Sequence, residues 1–516
     1  MPSRNTVFLK NIFTVGFCTL LSRIIGFARD VAVAAFLGTG PITQALIVAF
    51  TLPNLFRAVL SEGALTIAFV PMFVKKLENP SQAKAFANEC FSLLALVVTF
   101  FSALGILIMP TLILLHVSGF QGDERFALAV QYARICFPYI LLISLTSLIT
   151  GLLSALQSFA VAALVPAVLN IILISVLFFS GYVKIDIGLA LCWASLFAGI
   201  LQLAMVWIVA SRKGYTLYFR YPRLSPEIRK LLVIAGPALL IGGVSQLNII
   251  VGRQVASFFG PAIGWLYNAD RLYQLPLGIV SIAISMVLLP ELSRNIQKGK
   301  IAKARNTFCR SVEIVLFFTI PASITLVMMS HPIVFVLFER GAFNSNDTIQ
   351  TASALAVYSL GLPALVLHKT FEPLYFVRED IKQPLNFALF SLLLNAFVAI
   401  SLMPIFGFVA ASIGASVAAW AMLVFLWQGS RTMGNIAKFD HRLLNRLPRI
   451  LMASISLGVF LYFGQLAIEG MLYTPSIKYV ALILLLFSGF CFYISTSILF
   501  GAIKYRELSS FKYFRN

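Results

Sequence analysis

The chain has 516 residues, of which 60% are hydrophobic and only 11% are charged, and its mean hydropathy is +0.93. A soluble protein of this length needs far more polar surface, so the composition excludes a soluble globular protein and indicates a polytopic membrane protein. The net charge of +20 would suggest a nucleic-acid partner in a soluble chain. In a membrane protein such an excess follows from topology, so we expect no nucleic-acid partner.

Apolar segments of spanning length follow one another along the chain, separated by short polar stretches. The first is longer and more charged than a cleaved signal peptide, and we expect it to be a permanent span. Several segments exceed the ~20 residues needed to cross, which predicts tilt or extension beyond the bilayer. The fourteen predicted spans are 8–36, 42–74, 86–116, 125–157, 159–182, 186–211, 228–259, 263–293, 307–330, 348–377, 384–405, 408–432, 447–469 and 476–501.

The lysines and arginines between these spans are distributed asymmetrically. With both termini placed in the cytoplasm, nearly all of them fall on the cytoplasmic side, as the positive-inside rule requires. Those that fall outside are Arg125, Lys184, Arg340 and Lys478. The sequence therefore predicts a multi-pass protein with both termini in the cytoplasm.

Two spacings anchored on proline recur along the chain. Ser22 precedes Pro53 by 31 residues, and Ser245 precedes Pro276 by 31. Independently, the segments 138–170 and 363–395 both begin with proline and end with asparagine. Leucine-rich helices can align by chance, but two matching spacings favour an internal repeat, in which spans 1–6 and 7–12 are copies of one unit.

This repeat predicts the fold class: an all-α polytopic membrane protein with about 14 transmembrane helices. Two six-helix lobes, residues 1–225 and 226–435, would be related by a pseudo-twofold axis along the membrane normal. Such repeats usually support alternating access, with the substrate site at the repeat interface. Residues 436–516 add an accessory pair, spans 13 and 14, and a cytoplasmic tail. The pair either widens a lipid-facing groove or braces the second lobe.

Four arginines lie inside predicted spans, where each costs about 2.5–3.5 kcal/mol at the bilayer centre, so such residues are usually functional. In span 1, Ser22, Gly26 and Arg29 share one helical face, and Asp30 is adjacent. Arg23 is rotated from Arg29 by about 240° at 100° per residue, so both reach one cavity only if the helix bends or Arg23 curls around it. The four arginines are Arg23, Arg29, Arg57 and Arg271.

Polar groups accompany these arginines in three other spans. Span 2 places Pro53 and Asn54 ahead of Arg57, with Glu62 as a substrate contact or a structural partner of Arg57. Span 8 carries the counterpart cluster Asp270-Arg271, followed by Gln274 and Pro276. Span 5 has Pro166 and Asn170, which serve either packing or substrate contact. Arg134, Arg253 and Lys369 are weaker candidates.

The excess of arginine over acid in these spans favours an anionic substrate, because the planar guanidinium suits bidentate phosphate binding. No P-loop is present, so we expect neither ATP hydrolysis nor another enzymatic activity. The six cysteines and four histidines are dispersed, and we expect no metal site. No cofactor is expected; whether a coupling ion or the membrane potential drives transport stays open.

At these residues the chain resembles the MurJ (MviN) family of lipid II flippases, within the superfamily that also holds MATE exporters and polysaccharide flippases. The resemblance covers nearly the whole chain and is most specific in the first two blocks. The matching blocks are Ser22-Arg23 to Asp30, Leu52-Pro53-Asn54-Leu55 to Arg57, Glu62-Gly63-Ala64, Phe69-Val70-Pro71, Ala269-Asp270-Arg271, and Asp380 with Pro384. Two positions depart from the family pattern: Gln44 replaces a frequent Asp, and Gln274 a frequent Glu.

The resemblance implies a flippase of the bacterial inner membrane that moves lipid II, a polyprenyl-pyrophosphate-linked disaccharide peptide, from the cytoplasmic to the outer leaflet. It implies that the four arginines hold the pyrophosphate head and that the accessory pair forms a groove for the polyprenyl tail. The expected partners are lipid II, membrane lipids and, less directly, cell-wall synthesis proteins; we expect a monomer.

Three alternatives remain at this point. A flippase for another polyprenyl-linked sugar shares all of the physical requirements. A MATE-like exporter of cations would instead need an unpaired carboxylate, such as Asp270 or Glu62. A scaffold for cell-wall synthases would leave the arginines within the spans unexplained.

Overall fold

The computed structural model describes residues 4–58, 68–180, 186–221, 224–378 and 380–503. Nearly all of the regular structure in these ranges is helical. Two 3-10 helices, Ser118–Phe120 and Arg431–Ala437, join longer elements. The α-helices are α1 Arg4–Leu37, α2 Pro41–Ala58, α3 Val70–Lys76, α4 Pro80–Leu107, α5 Met109–His116, α6 Glu124–Cys136, α7 Tyr139–Ala155, α8 Phe159–Ser180, α9 Ile187–Arg212, α10 Pro226–Ala256, α11 Ala262–Gln297, α12 Ile301–Met328, α13 Ser330–Phe338, α14 Ser345–Phe376, α15 Lys382–Phe406, α16 Val409–Ser430, α17 His441–Ala467, α18 Glu469–Leu472 and α19 Lys478–Leu499.

Many of these helices are long and apolar enough to cross a membrane. Within the described ranges nine qualify singly, and the bent pair α6–α7 makes a tenth. The axis turns by 42° between α6 and α7, at Phe137-Pro138, where proline lacks the amide hydrogen that a continuous helix needs. The sequence had predicted one unbroken span over 125–157. The predicted total of fourteen spans stays a prediction.

The order and lengths of the helices recur along the chain, as the predicted repeat requires. Helices α4 and α12 have 28 residues each. Each is followed at once by a short helix, α5 or α13, then by the bent pair α6–α7 or the single helix α14, and then by two further long helices, α8 and α9 or α15 and α16. The predicted pseudo-twofold axis between the copies stays a prediction.

The chain divides into two compact units. The first comprises Met1–Gly264 with Gly341–Phe343, and the second Trp265–Arg340 with Asn344–Asn516. In the first unit α8 packs on α1 and α9, and α2 packs on α6. Its core includes the stacked rings of Phe69 and Phe86, with centroids 5.8 Å apart. The sequence-based boundaries at 225 and 435 describe the repeat, and they stay predictions.

The second unit holds the accessory pair. Helix α14 packs on α12 and α16, α15 packs on α16, and α17 packs on both α12 and α19. The outward faces of these and the other long helices expose large apolar side chains, among them Phe100, Phe179, Phe397 and Phe487. Apolar exposure on this scale is unfavourable in water and is the normal condition of a lipid-facing surface.

Candidate substrate-binding site

Arg29 is held by two partners within the first unit. Its Nε and Nη2 donate to Oδ1 of Asp30 at 3.1 and 2.6 Å, and its Nη1 donates to Oδ1 of Asn170 at 2.9 Å. Asp30 and Asn170 are buried, whereas the Arg29 side chain keeps 18% of its surface exposed. The contact joins α1 to α8, so Asn170, predicted for either packing or substrate contact, orients Arg29.

Gly26 allows this contact, one turn before Arg29 on α1. A Cβ atom at position 26 would lie 3.0 Å from Nδ2 of Asn170, which is tighter than ordinary van der Waals contact. Ser22 is buried on the same face, as predicted, whereas Arg23 is exposed. Its predicted position in the same cavity as Arg29 stays a prediction.

Arg57 lies in the last turn of α2 and is half-buried. Its Nε is 3.5 Å from Oδ1 of Asn54, at the limit of a hydrogen bond, and Asn54 is exposed. Helix α2 continues through Pro53, which is buried. Glu62 lies outside the described residues, so its predicted pairing with Arg57 stays a prediction.

A buried polar bridge beside Pro166 was missed by sequence reasoning. Gln202 of α9 accepts a hydrogen bond from the Tyr139 hydroxyl at 3.0 Å and donates to the Val165 carbonyl at 2.7 Å. The bridge ties α7, α8 and α9 together at the level of Pro166, whose own ring is exposed. A glutamine within a span was the available signal, because polar groups inside a membrane are costly unless paired.

Gln44, one of the two departures from the family pattern, belongs to a second polar cluster. Nη1 of Arg125 donates to Oε1 of Gln44 at 3.2 Å and to the carbonyl of Gly260 at 2.8 Å, while its Nε contacts Oδ2 of Asp123 at 2.6 Å. The sequence predicted only that Arg125 lies on the outer side, and its residue exposure is 8%. Gln44 accepts from this arginine without adding a charge.

The second unit contains the cluster around Arg271 on α11. The half-buried Arg271 donates from Nη2 to the Tyr267 hydroxyl at 3.2 Å, and its guanidinium carbon lies 4.7 Å from the centroid of that ring. Gln274 donates a hydrogen bond from Nε2 to Oδ2 of Asp270. Its amide donates to a carboxylate that a glutamate at this position could only repel when both are ionised. The convergence of Arg271 with the first unit's arginines stays a prediction.

A further charged group lies on α14 of the second unit. Nζ of Lys369 is 3.2 Å from Oε2 of Glu372, which confirms that the two can pair, and Nε2 of His368 is 3.9 Å from Oε1 of Glu372. The side chain of Lys369 is half exposed. The pair leaves little net charge to offer an anion.

The accessory helix α17 is fastened to α12 by ion pairs around Glu313, which is buried. Arg446 and Arg310 both pair with Glu313, and Nη2 of Arg442 is 3.3 Å from its Oε1. Arg310 also pairs with Asp440, the N-cap of α17. Burial alone would raise the pKa of Asp440, but the Leu443 amide and Arg310 outweigh it, so the pKa lies below its usual range.

The same accessory helix forms one wall of an apolar groove of about 570 Å³. The sequence had left open whether the accessory pair braces the second lobe or widens a groove. In the described residues α17 packs on α12 and also lines this groove. The groove is lined by Ile455, Ser456, Val459, Phe460, Phe463, Gly464, Ala467 and Phe492.

The arrangement is suited to binding rather than to covalent chemistry. Half-buried guanidinium groups such as that of Arg29 are suited to binding an anion through charge-assisted hydrogen bonds. Within the described part of the chain, no group of three histidine, cysteine or acidic side chains is placed to hold a metal ion. Cationic groups within apolar helices, together with an apolar groove in the second unit, define a polytopic membrane protein of the transporter class.

Comparison with known proteins assigns the family. The family model for lipid II flippase MurJ matches residues 33–481, so the chain belongs to the MurJ family. It is 41% identical over 461 residues to a probable lipid II flippase MurJ of Rhizobium meliloti, covering 88% of this chain and 86% of that protein. The probable lipid II flippase MurJ of Rhizobium tropici is 40% identical over 465 residues, covering 89% and 87% respectively.

Solved structures give the same assignment. A lipid II flippase MurJ in an inward closed conformation superposes with a TM-score of 0.80 at 25% identity, covering 96% of this chain and 99% of that one. An inward-facing MATE multidrug transporter superposes with a TM-score of 0.69 at 14% identity, covering 80% and 94%. The second likeness concerns the fold alone.

Proposed function

We propose that this protein flips lipid II from the cytoplasmic to the outer leaflet of the bacterial inner membrane by alternating access. The observation that carries the proposal is the half-buried Arg29, held by Asp30 and Asn170 within apolar helices of a MurJ-family chain. An arginine side chain that is already held by two partners loses less conformational entropy when it binds a phosphate.

The physical problem of the reaction is the head group, because a pyrophosphate-linked sugar peptide cannot cross hydrocarbon unaided. Arg29, Arg57 and Arg271 would replace water around the phosphates by charge-assisted hydrogen bonds. Arg23, which is exposed, would contribute when its side chain turns toward the same space. Ser22, Asn54 and Asp270 would add or orient polar contacts.

The polyprenyl tail poses no such problem, since it never needs to leave the apolar phase. The groove between α17 and α19 has the apolar lining and the volume, about 570 Å³, to accept part of a prenyl chain. The ion pairs between Glu313 and α17 would hold one wall of this groove in place during transport.

The direction and driving force follow from charge. With both termini in the cytoplasm, an anionic head group moving outward goes downhill in a cell that is negative inside, by about 2.3 kcal/mol per charge per 100 mV. The membrane potential would then suffice without a cofactor or an enzymatic step. We propose that the monomer is the transporting unit and that cell-wall synthesis proteins receive its product.

Release requires that the outward state bind the head group more weakly. We propose that opening outward separates the arginines of α1 and α2 from Arg271, so that the phosphates lose part of their ligand set. Cysteine crosslinks between α2 and α11 should then form in one state and not in the other. Crosslinking that stays constant during turnover would contradict this mechanism.

A second candidate is a flippase for another polyprenyl-linked sugar, because the same arginines and groove would serve it. Export of cationic drugs is disfavoured at Asp30, because its carboxylate pairs with Arg29 and is not free to bind a cation.

The test is the leaflet accessibility of lipid II in cells depleted of this protein. An enzyme added outside cleaves the precursor that has reached the outer leaflet, and rescue is attempted with wild type and with Arg271→Ala. Loss of accessibility that only wild type restores is the expected result. Unchanged accessibility on depletion would contradict lipid II as the substrate.

A further inference from the structure

A second groove, away from the arginines discussed above, lies on the outer surface of the first unit between α5 and α6. Its volume is about 500 Å³, and its walls are mostly apolar, with Pro110 on one side and Phe126, Ala127 and Ile135 on the other. Two polar side chains, Gln131 and Arg134, complete the lining. Neither takes part in the proposed transport site.

Arg134 is unusual for its position. It is exposed, although it lies ten residues inside a helix pair that qualifies as a membrane span. Within the described ranges no carboxylate lies within ion-pair distance of it, nor is it among the residues that hold other polar contacts. A lipid-facing arginine in this setting needs an anion from the bilayer itself.

The helix geometry directs Arg134 toward the membrane surface. Helix α6 begins at Glu124, and ten residues at 1.5 Å each place Arg134 about 15 Å further along the axis. Side chains of an α-helix lean toward its N-terminus, so Arg134 reaches back toward Glu124 and passes Gln131, one turn earlier on the same face. In the predicted topology α6 begins at the outer face of the membrane, so the phosphate layer of the outer leaflet would lie in that direction.

We propose that this groove is a binding site for one glycerophospholipid of the bilayer. Its phosphodiester accepts hydrogen bonds from the Arg134 guanidinium and the Gln131 amide, and one acyl chain lies along Phe126, Ala127 and Ile135. Charge complementarity selects the occupant: a single unpaired cation above an apolar groove matches one phosphate above one acyl chain. The site is independent of what the protein transports.

Native mass spectrometry of the purified protein with added phosphatidylglycerol tests the proposal. Arg134→Gln removes the cation, and Ala127→Trp fills the groove while leaving the cation in place. We expect wild type to retain one lipid more tightly than the rest. Arg134→Gln should weaken that lipid by about tenfold, the value of one charge-assisted hydrogen bond, and Ala127→Trp should weaken it by excluding the acyl chain. Circular dichroism of each variant establishes that it is folded.

Three controls make the test specific. Arg212→Gln removes an exposed arginine at the end of α9, outside the groove, and should leave the tight lipid in place. A neutral diacylglycerol glycolipid should not be retained, because it lacks the phosphate, and added polyprenyl pyrophosphate should not displace the phospholipid. Equal retention by wild type and both groove variants, retention of the glycolipid, or displacement by the polyprenyl compound would each overturn the proposal.

Discussion

Nη1 of Arg29 and Oδ1 of Asn170 are 2.9 Å apart, although 141 residues separate them in the chain. The hydrogen bond crosses from α1 to α8 and fixes a guanidinium that also pairs with a buried carboxylate, Asp30. The geometry makes Asn170 a positioning residue for the proposed phosphate ligand.

Two substitutions of Asn170 should separate its role in orienting Arg29 from the effect of a negative charge at this position. Asn170→Ala removes one acceptor, and we expect flipping to fall by about tenfold, the value of a hydrogen bond to a charged group. Asn170→Asp keeps the acceptor but adds an anion that competes with the substrate phosphate, so its loss should be larger. Flipping rates in proteoliposomes measure both; an aspartate variant more active than the alanine variant would contradict this role.

The close approach at Gly26 should be visible in stability. Gly26→Leu places a side chain against Nδ2 of Asn170, and overpacking of this kind costs about 1–3 kcal/mol. Gly16→Ala on the same helix is the matched control, because a Cβ atom there has no neighbour within 4 Å among the described residues. Thermal unfolding in detergent should show a lower melting temperature for Gly26→Leu alone.

Gln274→Glu restores the acid that many relatives carry and should make transport depend on pH. Two carboxylates one helical turn apart repel each other when both are ionised, and a proton bound by either one removes the repulsion. Flipping by this variant should therefore increase as the pH falls, and by more than flipping by wild type. A parallel pH profile for the two proteins would refute the charge coupling at Asp270.

Removal of Glu313 should loosen the accessory pair. Glu313→Ala leaves the arginines around it without their buried counter-ion, a change that typically costs about 3–5 kcal/mol. The exposed Glu78 provides the control Glu78→Ala. Proteolysis of the segment between α16 and α17 should accelerate in the Glu313 variant only. Equal cleavage of both variants would show that the ion pairs do not fasten α17.

Asp440 gives the pH dependence of the same attachment. The pKa of Asp440 is depressed in the folded protein. Its contribution to the free energy of unfolding is therefore complete above its pKa in the unfolded chain, about 3.9, and is lost as the pH falls through the folded pKa. Asp440→Asn should accordingly lower the melting temperature equally at pH 7 and pH 5. A difference in melting temperature between wild type and Asp440→Asn that is present at pH 7 and absent at pH 5 would contradict the depressed pKa.

The sequence predicted the helical class and the arginines within it because apolar runs and intramembrane charges are strong local signals. It could not predict which distant side chains would meet. The Arg29–Asn170 bond, the burial of Arg125 against Gln44, and the Glu313 ion pairs each join segments far apart in the chain. The break at Phe137-Pro138 was missed for another reason: proline is tolerated inside other helices of this chain, such as α2 and α11.

The most direct test of the central claim is lipid II flipping by purified protein in proteoliposomes, with wild type compared with Arg29→Gln. Glutamine keeps hydrogen-bonding capacity but removes the charge that is proposed to bind the pyrophosphate. We expect wild type to flip lipid II and Arg29→Gln to lose at least about tenfold in rate, with normal folding by circular dichroism. Equal rates for the two proteins would contradict the account.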